Sequence, residues 1–169
     1  MADCAAPRDG REAGLNSCWH LYACLVTQST MTQKISVGTH VPISVENAWR
    51  IYTSPNAITE WNFASPDWHC PSAEVDLREG GCHTARMEAK DGSMGFDFAG
   101  TYTVVDAPHA LTIRLEDGRE SHTTFTVEGD GTPVRTEFDS DETQDRETQR
   151  CGWQAILNNF AAFASNKIG

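Results

Sequence analysis

The chain has 169 residues, of which 13 are basic and 24 acidic, so its net charge is −11. This length suits one domain large enough for a core and an internal pocket, and so acidic a surface repels nucleic acid and anionic membranes. The longest apolar runs fall short of the roughly eighteen residues that a membrane-spanning helix needs. We therefore expect a soluble, cytoplasmic protein without nucleic-acid or membrane partners.

Residues 1–30 differ in composition from the rest of the chain. Acidic residues precede a short apolar patch, LYACLV, whereas a secretory signal begins with basic residues and continues into a longer apolar core. Three of the six cysteines lie here, which leaves three in the rest of the chain. An odd number of cysteines favours free thiols in a reducing compartment over a set of disulfides. We interpret residues 1–30 as a disordered extension or a misassigned start, with a functional arm as the alternative, and residues 31–169 as one domain.

The elements of that domain can be predicted in chain order. Residues 34–41 alternate apolar and polar side chains, which indicates a half-buried strand. Ser44 is placed to cap a helix, and Ser54-Pro55 to start a second short helix that ends near Trp61. After an irregular stretch, turn signals of the Asp-Gly and Gly-Gly types separate six further strands, which we place at 73–77, 82–89, 96–105, 111–116, 121–128 and 134–139.

A long helix is predicted near the C-terminus, over about residues 145–166. Its apolar residues recur at spacings of three and four, as on the buried face of an amphipathic helix: Trp153, Ile156, Leu157, Phe160 and Ala164. An antiparallel sheet of six or seven strands must cover one face, and curling around this helix does so. The predicted fold class is therefore α+β.

Three blocks of sequence carry a family resemblance: VPISVENAWRIYTSPNA, ITEWNFASPDWHCPSAEVDLREGG and QRCGWQAILNNFAAFA. Their motifs are Trp49, Ser54-Pro55, Trp61, Gly80-Gly81 and Gly152-Trp153. Over about residues 34–164 the chain resembles the START-like, helix-grip (SRPBCC) superfamily, in the branch named after the activator of the heat-shock-protein-90 ATPase. The resemblance implies a curved antiparallel sheet of about seven strands wrapped around a long C-terminal helix, with two short helices after strand 1.

The same resemblance implies a function. Members of the superfamily hold apolar ligands between sheet and last helix, so we expect this chain to bind a small, mostly apolar molecule in that cavity. One alternative is a co-chaperone-like module of the ATPase-activator type, with a chaperone as its partner and a role in stress response. A second is a cyclase-like or hydrolase-like enzyme that uses the same cavity, although the sequence offers no complete catalytic set. We expect no cofactor and no metal.

The candidate ligand-binding residues follow from strand parity together with the resemblance. His83 and Met87 share one face of their strand, with Arg86 on the other, and the resemblance places the first pair inward. A packed aromatic core and a hydrogen-bonded core histidine are the competing interpretations. The ligand-binding residues that we predict are Trp61, Trp68, His69, His83, Met87, Phe98, Tyr102, Trp153 and Phe160. Phe96 shares the inward face of its strand with Phe98.

The segment Asp67–Pro71 invites a catalytic or metal-binding interpretation. Adjacent side chains of an extended segment point apart, which disfavours a Cys70 nucleophile with His69 as its base. The same divergence disfavours a zinc site made from His69-Cys70 and Cys82-His83. We predict instead a loop at the rim of the pocket, pinned by Trp68 and Pro71.

Polar residues near the start of the long helix have two interpretations. Gln149 is either a solvated residue of the first turn or an amide directed toward the pocket. The carboxylates Asp139, Asp141 and Glu142 are interpreted as capping groups, because the positive end of the helix dipole favours negative charge.

Overall fold

The computed structural model describes residues 33–167. The described residues, 33–167, lie within one compact unit, and the predicted extension, residues 1–30, lies outside them. None of the helices within residues 33–167 combines the length and the apolar composition that a membrane crossing requires. The elements are, in order, β1 (Lys34–Val41), α1 (Val45–Thr53), α2 (Pro55–Trp61), β2 (Trp68–Val75), β3 (Cys82–Ala89), β4 (Gly95–Asp106), β5 (Ala110–Leu115), β6 (Glu120–Phe125), β7 (Thr132–Asp139) and α3 (Arg146–Asn166).

The seven strands form one antiparallel sheet in the order β1-β7-β6-β5-β4-β3-β2. From β1 the chain crosses through α1 and α2 to the opposite edge, and then returns strand by strand until β7 pairs with β1, with Phe138 opposite Ile35. The sheet curls around α3, whose residues Leu157, Phe160 and Ala164 are buried. The predicted α+β fold, with a curved seven-stranded sheet around the C-terminal helix, is confirmed.

Strand alternation separates an inner face, turned toward α3, from an outer face. On β3 the inner side chains of His83, Ala85 and Met87 are buried. Their neighbour Arg86 lies on the outer face, where its Nε donates to Glu88 Oε1 at 2.8 Å. The parity predicted for this strand is therefore observed.

Strand β2 begins earlier than predicted. The structure places Trp68 and His69 in the strand, opposite Ala89 and Glu88, whereas the sequence predicted an irregular loop there. A register shift between His69 and Ser72 accommodates Pro71, which has no N–H to donate. Because β2 is an edge strand, it tolerates this proline, and the rim-loop prediction was wrong.

Strand β6 ends at Phe125, three residues before the predicted end at 128. Thr126 and Glu128 instead bond across the turn, from their N–H groups to the carbonyls of Pro133 and Gly131. The turn residues thus satisfy their own backbone groups without extending the ladder.

Helix α3 is capped by Asp145, whose carboxylate accepts a hydrogen bond from the N–H of Thr148 at 2.8 Å. The carboxylates that the sequence marked as caps have other partners. Asp139 accepts from the N–H of Glu120 at 2.9 Å, and Asp141 accepts from the N–H of Thr143 at 2.9 Å.

Gln149 ties α3 to the loop that precedes it, which neither sequence interpretation foresaw. Its Oε1 accepts from the N–H of Asp141 at 2.8 Å, and its Nε2 donates to the carbonyls of Asp141 and Gln144 at 2.9 and 3.1 Å. A side-chain amide that both donates and accepts can satisfy loop backbone groups that no strand or helix reaches.

Replacing Gln149 by alanine should lower the free energy of unfolding by about 1–2 kcal/mol, because three hydrogen bonds in a partly exposed setting are lost. Urea unfolding followed by circular dichroism measures this loss. Arg150→Ala is the matched control, since that exposed side chain pairs with Glu147 on its own helix and should leave the midpoint essentially unchanged. Equal midpoints for both variants would show that the loop needs no support from Gln149.

The edge of β1 is covered by Gln154 of α3. The amide of Gln154 donates to the carbonyl of Gly38 at 2.8 Å and accepts from its N–H at 3.3 Å. A side chain thus supplies what a neighbouring strand would supply, which shields this edge from pairing with other chains.

Candidate functional site

A first cluster of rings, here called the Trp153 group, lies between the N-terminal half of α3 and the inner face. It comprises Trp153, Phe138, Phe98, His83 and Tyr102. Trp153 stacks on Phe138 with ring centroids 4.3 Å apart and meets Phe98 edge-on at 5.7 Å. Both Trp153 and Phe98 stay partly exposed. Two rings at this end of the interface between helix and sheet therefore reach solvent.

A buried hydrogen-bonded pair belongs to this group. Nδ1 of His83 lies 2.9 Å from the hydroxyl of Tyr102, and the two residues are 8% and 2% exposed. Burial lowers the pKa of His83 to about 4 and raises the pKa of Tyr102. Both side chains are consequently neutral at physiological pH.

A second cluster, the Phe160 group, surrounds the C-terminal half of α3. Phe160 meets Tyr52 and Trp61 edge-on, each with centroids 5.2 Å apart. The Tyr52 hydroxyl lies 3.3 Å from Oγ1 of Thr123, which in turn lies 2.9 Å from Oγ1 of Thr136. Burial raises the pKa of Tyr52 as well. Hydroxyl groups thus run through the interior without any charge among them.

The interior carries no formal charge. Among residues 33–167 no lysine, arginine, aspartate or glutamate is buried. The basic side chains instead pair with carboxylates at the surface, as Arg114 does with Glu120 at 2.7 Å and Arg135 with Glu137 at 2.9 Å. An ion that entered the space next to α3 would find no opposite charge there to replace its hydration.

The structure places most of the predicted ligand-binding residues in or beside these two groups. Trp153, Phe98, Tyr102 and His83 come together, Trp61 and Phe160 form the second cluster, and Met87 is buried on the inner face. Trp68 lies on the inner face near the hairpin that joins β3 to β4, 5.9 Å from Phe96. Phe96, predicted to share the inward face of its strand with Phe98, is 51% exposed because it stands near the strand end.

His69 is not brought together with the other predicted residues. Its Nε2 lies 3.6 Å from Oε2 of Glu88 on the outer face. The neighbouring Cys70 points the other way, is buried, and donates from Sγ to the carbonyl of Ser72 at 3.4 Å. Burial raises the pKa of the Cys70 thiol, so the thiolate that a nucleophile requires is disfavoured.

The model of the family described as "Activator of Hsp90 ATPase homolog 1-like protein" matches residues 42–165, a range that contains both clusters. The chain belongs to this family. Its predicted resemblance to the branch named after that activator is thereby confirmed. None of the proteins with a curated description matches the chain.

Solved structures of relatives agree with this membership. An AHSA1-like protein from Aeromonas hydrophila is 42% identical with a TM-score of 0.74, over 79% of this chain and 93% of that one. Chr148 from Cytophaga hutchinsonii is 43% identical with a TM-score of 0.69, over 80% and 94%. CV1439 from Chromobacterium violaceum shares the fold at 19% identity, with a TM-score of 0.72 over 79% and 98%.

Two rings of these clusters escaped the sequence prediction. Phe138 follows Val134 and Thr136 on the inner face of β7, so the alternation of that strand was a usable signal. Tyr52 lies three residues after Trp49 on α1, which places both on the same side of the helix. Nothing in their spacing, however, indicates that they meet residues of α3.

Two surface depressions in the described part of the chain lie elsewhere. One, of about 480 Å³, adjoins the β1 edge at Gly38 and Gln154. The other, of about 520 Å³, is lined mostly by outer-face residues of β3, β4 and β5, among them Thr84 and Thr101. The rings of the two clusters lie between the inner face and α3.

Proposed function

We propose that this protein binds a small, mostly apolar molecule between α3 and the inner face, at the Trp153 group. The observation that carries the proposal is the partial exposure of Phe98 and Trp153. These rings meet edge-on across the interface and still reach solvent, an arrangement more typical of a ligand site than of a sealed core. Family membership supports the fold of such a site, but a fold does not assign a function by itself.

Binding at this place requires the ligand to enter between the rings of Trp153 and Phe98. A guest that removes about 200 Å² of apolar surface from water gains about 5 kcal/mol. Micromolar affinity needs about 8 kcal/mol. Ring contacts alone therefore give weak binding, and polar contacts such as those of the His83–Tyr102 pair must contribute the remainder.

Titration of the wild-type protein with Nile red, a neutral dye whose fluorescence rises in apolar surroundings, tests the proposal. Met87→Trp fills the inner face and should weaken dye binding at least tenfold. Arg86→Trp is the matched control, because the neighbouring side chain points to the outer face. It should leave dye binding within about twofold of the wild type. Circular dichroism establishes that both variants are folded.

Equal dye binding by both variants would place the dye away from the inner face and contradict the proposal. A third variant keeps the test decisive if Met87→Trp does not fold. Phe98→Ala removes one partly exposed ring and should weaken dye binding at least fivefold. Energy transfer from tryptophan to the dye then reports whether the dye lies close to the rings.

A co-chaperone role is the second candidate, and one feature of the surface favours it. Met94 and Phe96, at the hairpin between β3 and β4, are 65% and 51% exposed. Large exposed apolar side chains that lie close together are typical of protein contacts. If this role holds, the protein should raise the ATPase rate of a purified Hsp90-type chaperone, and Met94→Ser with Phe96→Ser should remove the stimulation. An unchanged rate with the wild type would eliminate this candidate.

A further inference from the structure

We infer that the ligand is an uncharged molecule with a hydroxyl or carbonyl oxygen, and that this oxygen hydrogen-bonds to the His83–Tyr102 pair. The inference rests on the proposed function, since it specifies the chemistry of the molecule bound at the Trp153 group. It excludes fatty acids and other carboxylates as the preferred ligands.

The lack of interior charge is the first argument. No basic side chain among residues 33–167 is buried, so a carboxylate beside α3 would lose its water without gaining an ion pair. His83 does not supply that charge either, because burial lowers its pKa to about 4 and it is neutral at physiological pH. The net charge of −11 further opposes the approach of an anion.

The unused hydrogen-bonding capacity of the pair is the second argument. Nδ1 of His83 is occupied by the Tyr102 hydroxyl, whereas the hydrogen bonds among residues 33–167 leave Nε2 without a partner. If the hydroxyl donates to Nδ1, the proton of the neutral ring is on Nε2, which then donates to a ligand oxygen. In the other tautomer Nε2 accepts, and a ligand hydroxyl still satisfies it.

The position of the pair suits this contact. The imidazole of His83 lies edge-on to Phe98, with centroids 6.0 Å apart, and Phe98 is one of the two rings at the open end of the interface. A polar atom on an otherwise apolar molecule that enters beside Phe98 therefore arrives next to the imidazole.

A second buried donor supports the same chemistry. Trp61 is 4% exposed, and its Nε1 has no hydrogen-bond acceptor among residues 33–167. Buried N–H groups are rarely left without an acceptor. The interior thus offers N–H donors and hydroxyls, which suit an oxygen-bearing neutral molecule, and it offers no charge.

Displacement of Nile red by matched ten-carbon compounds tests the inference at pH 7.5. We expect 1-decanol and 2-decanone to displace the dye at concentrations at least tenfold lower than decanoate. In Tyr102→Phe, which removes the hydroxyl and its bond to His83, decanol should lose at least threefold in affinity. Thr101→Val, one residue along on the outer face, is the matched control and should bind decanol as the wild type does.

The outcomes distinguish a missing binding site from a site that does not prefer neutral ligands. If Nile red does not bind the wild-type protein, the proposed function itself fails, and the inference fails with it. If the dye binds but decanoate displaces it as well as decanol does, the site is real and the inference of a neutral ligand is overturned. If decanol keeps its full affinity in a folded Tyr102→Phe, the assignment of the oxygen to this pair is wrong. The comparison of alcohol with carboxylate uses the wild-type chain, so it does not depend on the folding of a variant.

Discussion

Phe160→Ala should lower the free energy of unfolding by about 3–5 kcal/mol. Phe160 is 0% exposed, and its ring meets Tyr52 and Trp61 edge-on at 5.2 Å in each case. Truncation removes a fully buried ring at a position where α1, α2 and α3 converge. The neighbours are themselves large rings on separate helices, so they cannot collapse to fill the space without moving a helix. Urea unfolding monitored by far-ultraviolet circular dichroism measures the loss.

Phe163→Ala provides the matched comparison for Phe160. Phe163 lies three residues further along α3, is only partly buried, and has Lys167 5.1 Å from its ring centroid. Its truncation should cost less, about 1–2 kcal/mol, since part of the ring already contacts solvent and less buried apolar surface is lost. If the two truncations cost the same, α3 presents a different face to the sheet from the one described. A large change in the denaturant dependence of either variant would indicate a loss of two-state unfolding.

Protonation of His83 should lower the stability of the protein by roughly 3 kcal/mol between pH 6.5 and pH 4. The pKa of His83 is about 4 in the folded state, against about 6.5 in an unfolded chain. Because the folded pKa is the lower one, the unfolded state takes up the proton first as the pH falls. The penalty is therefore absent above about pH 6.5, grows through this window, and stops growing below about pH 4.

Surface carboxylates also destabilise the protein in acid, because hydrogen bonds and ion pairs lower their pKa values in the folded state. They include Glu46, Glu88, Asp91, Asp117, Asp141, Asp145 and Glu147. The contribution of His83 is isolated by subtraction. Unfolding free energies of the wild type and of His83→Gln are measured from pH 7.5 to pH 4. The value for the wild type minus that for the variant should decrease as the pH falls, because glutamine does not titrate. A difference that stays constant over this range would mean that His83 titrates normally and is not buried against Tyr102.

Periodicity within single elements was enough to predict much of the fold. The alternation of residues 82–89 matches the bounds of β3, and it separates His83 and Met87 from Arg86. The apolar spacing near the C-terminus correctly places Leu157 and Phe160 on the buried side of α3. These features depend on the local geometry of one strand or one helix, which repeats every two or 3.6 residues and is therefore legible in the sequence.

The corrections concern residues whose surroundings are set outside their own strand or helix. Gln149 bonds to a loop rather than to solvent or the interior, because its side-chain amide reaches the backbone groups of Asp141 and Gln144. His69 lies on the outer face because β2 starts at Trp68, and this depends on pairing with β3 across a shifted register. Phe96 has the inward parity of its strand but is exposed, since parity gives the direction of a side chain and not what covers it.

The sequence by itself determined the order of the elements, the faces of β3 and the buried stripe of α3, because each follows from a repeat within a short segment. Only the tertiary structure decided that Trp153 stacks on Phe138, that His83 bonds to Tyr102, and that Trp153 and Phe98 stay partly open to solvent. Periodicity states that a side chain faces inward. Which partner that side chain meets, and whether the pair excludes solvent from the interface between helix and sheet, depends on how far the sheet curls around the helix.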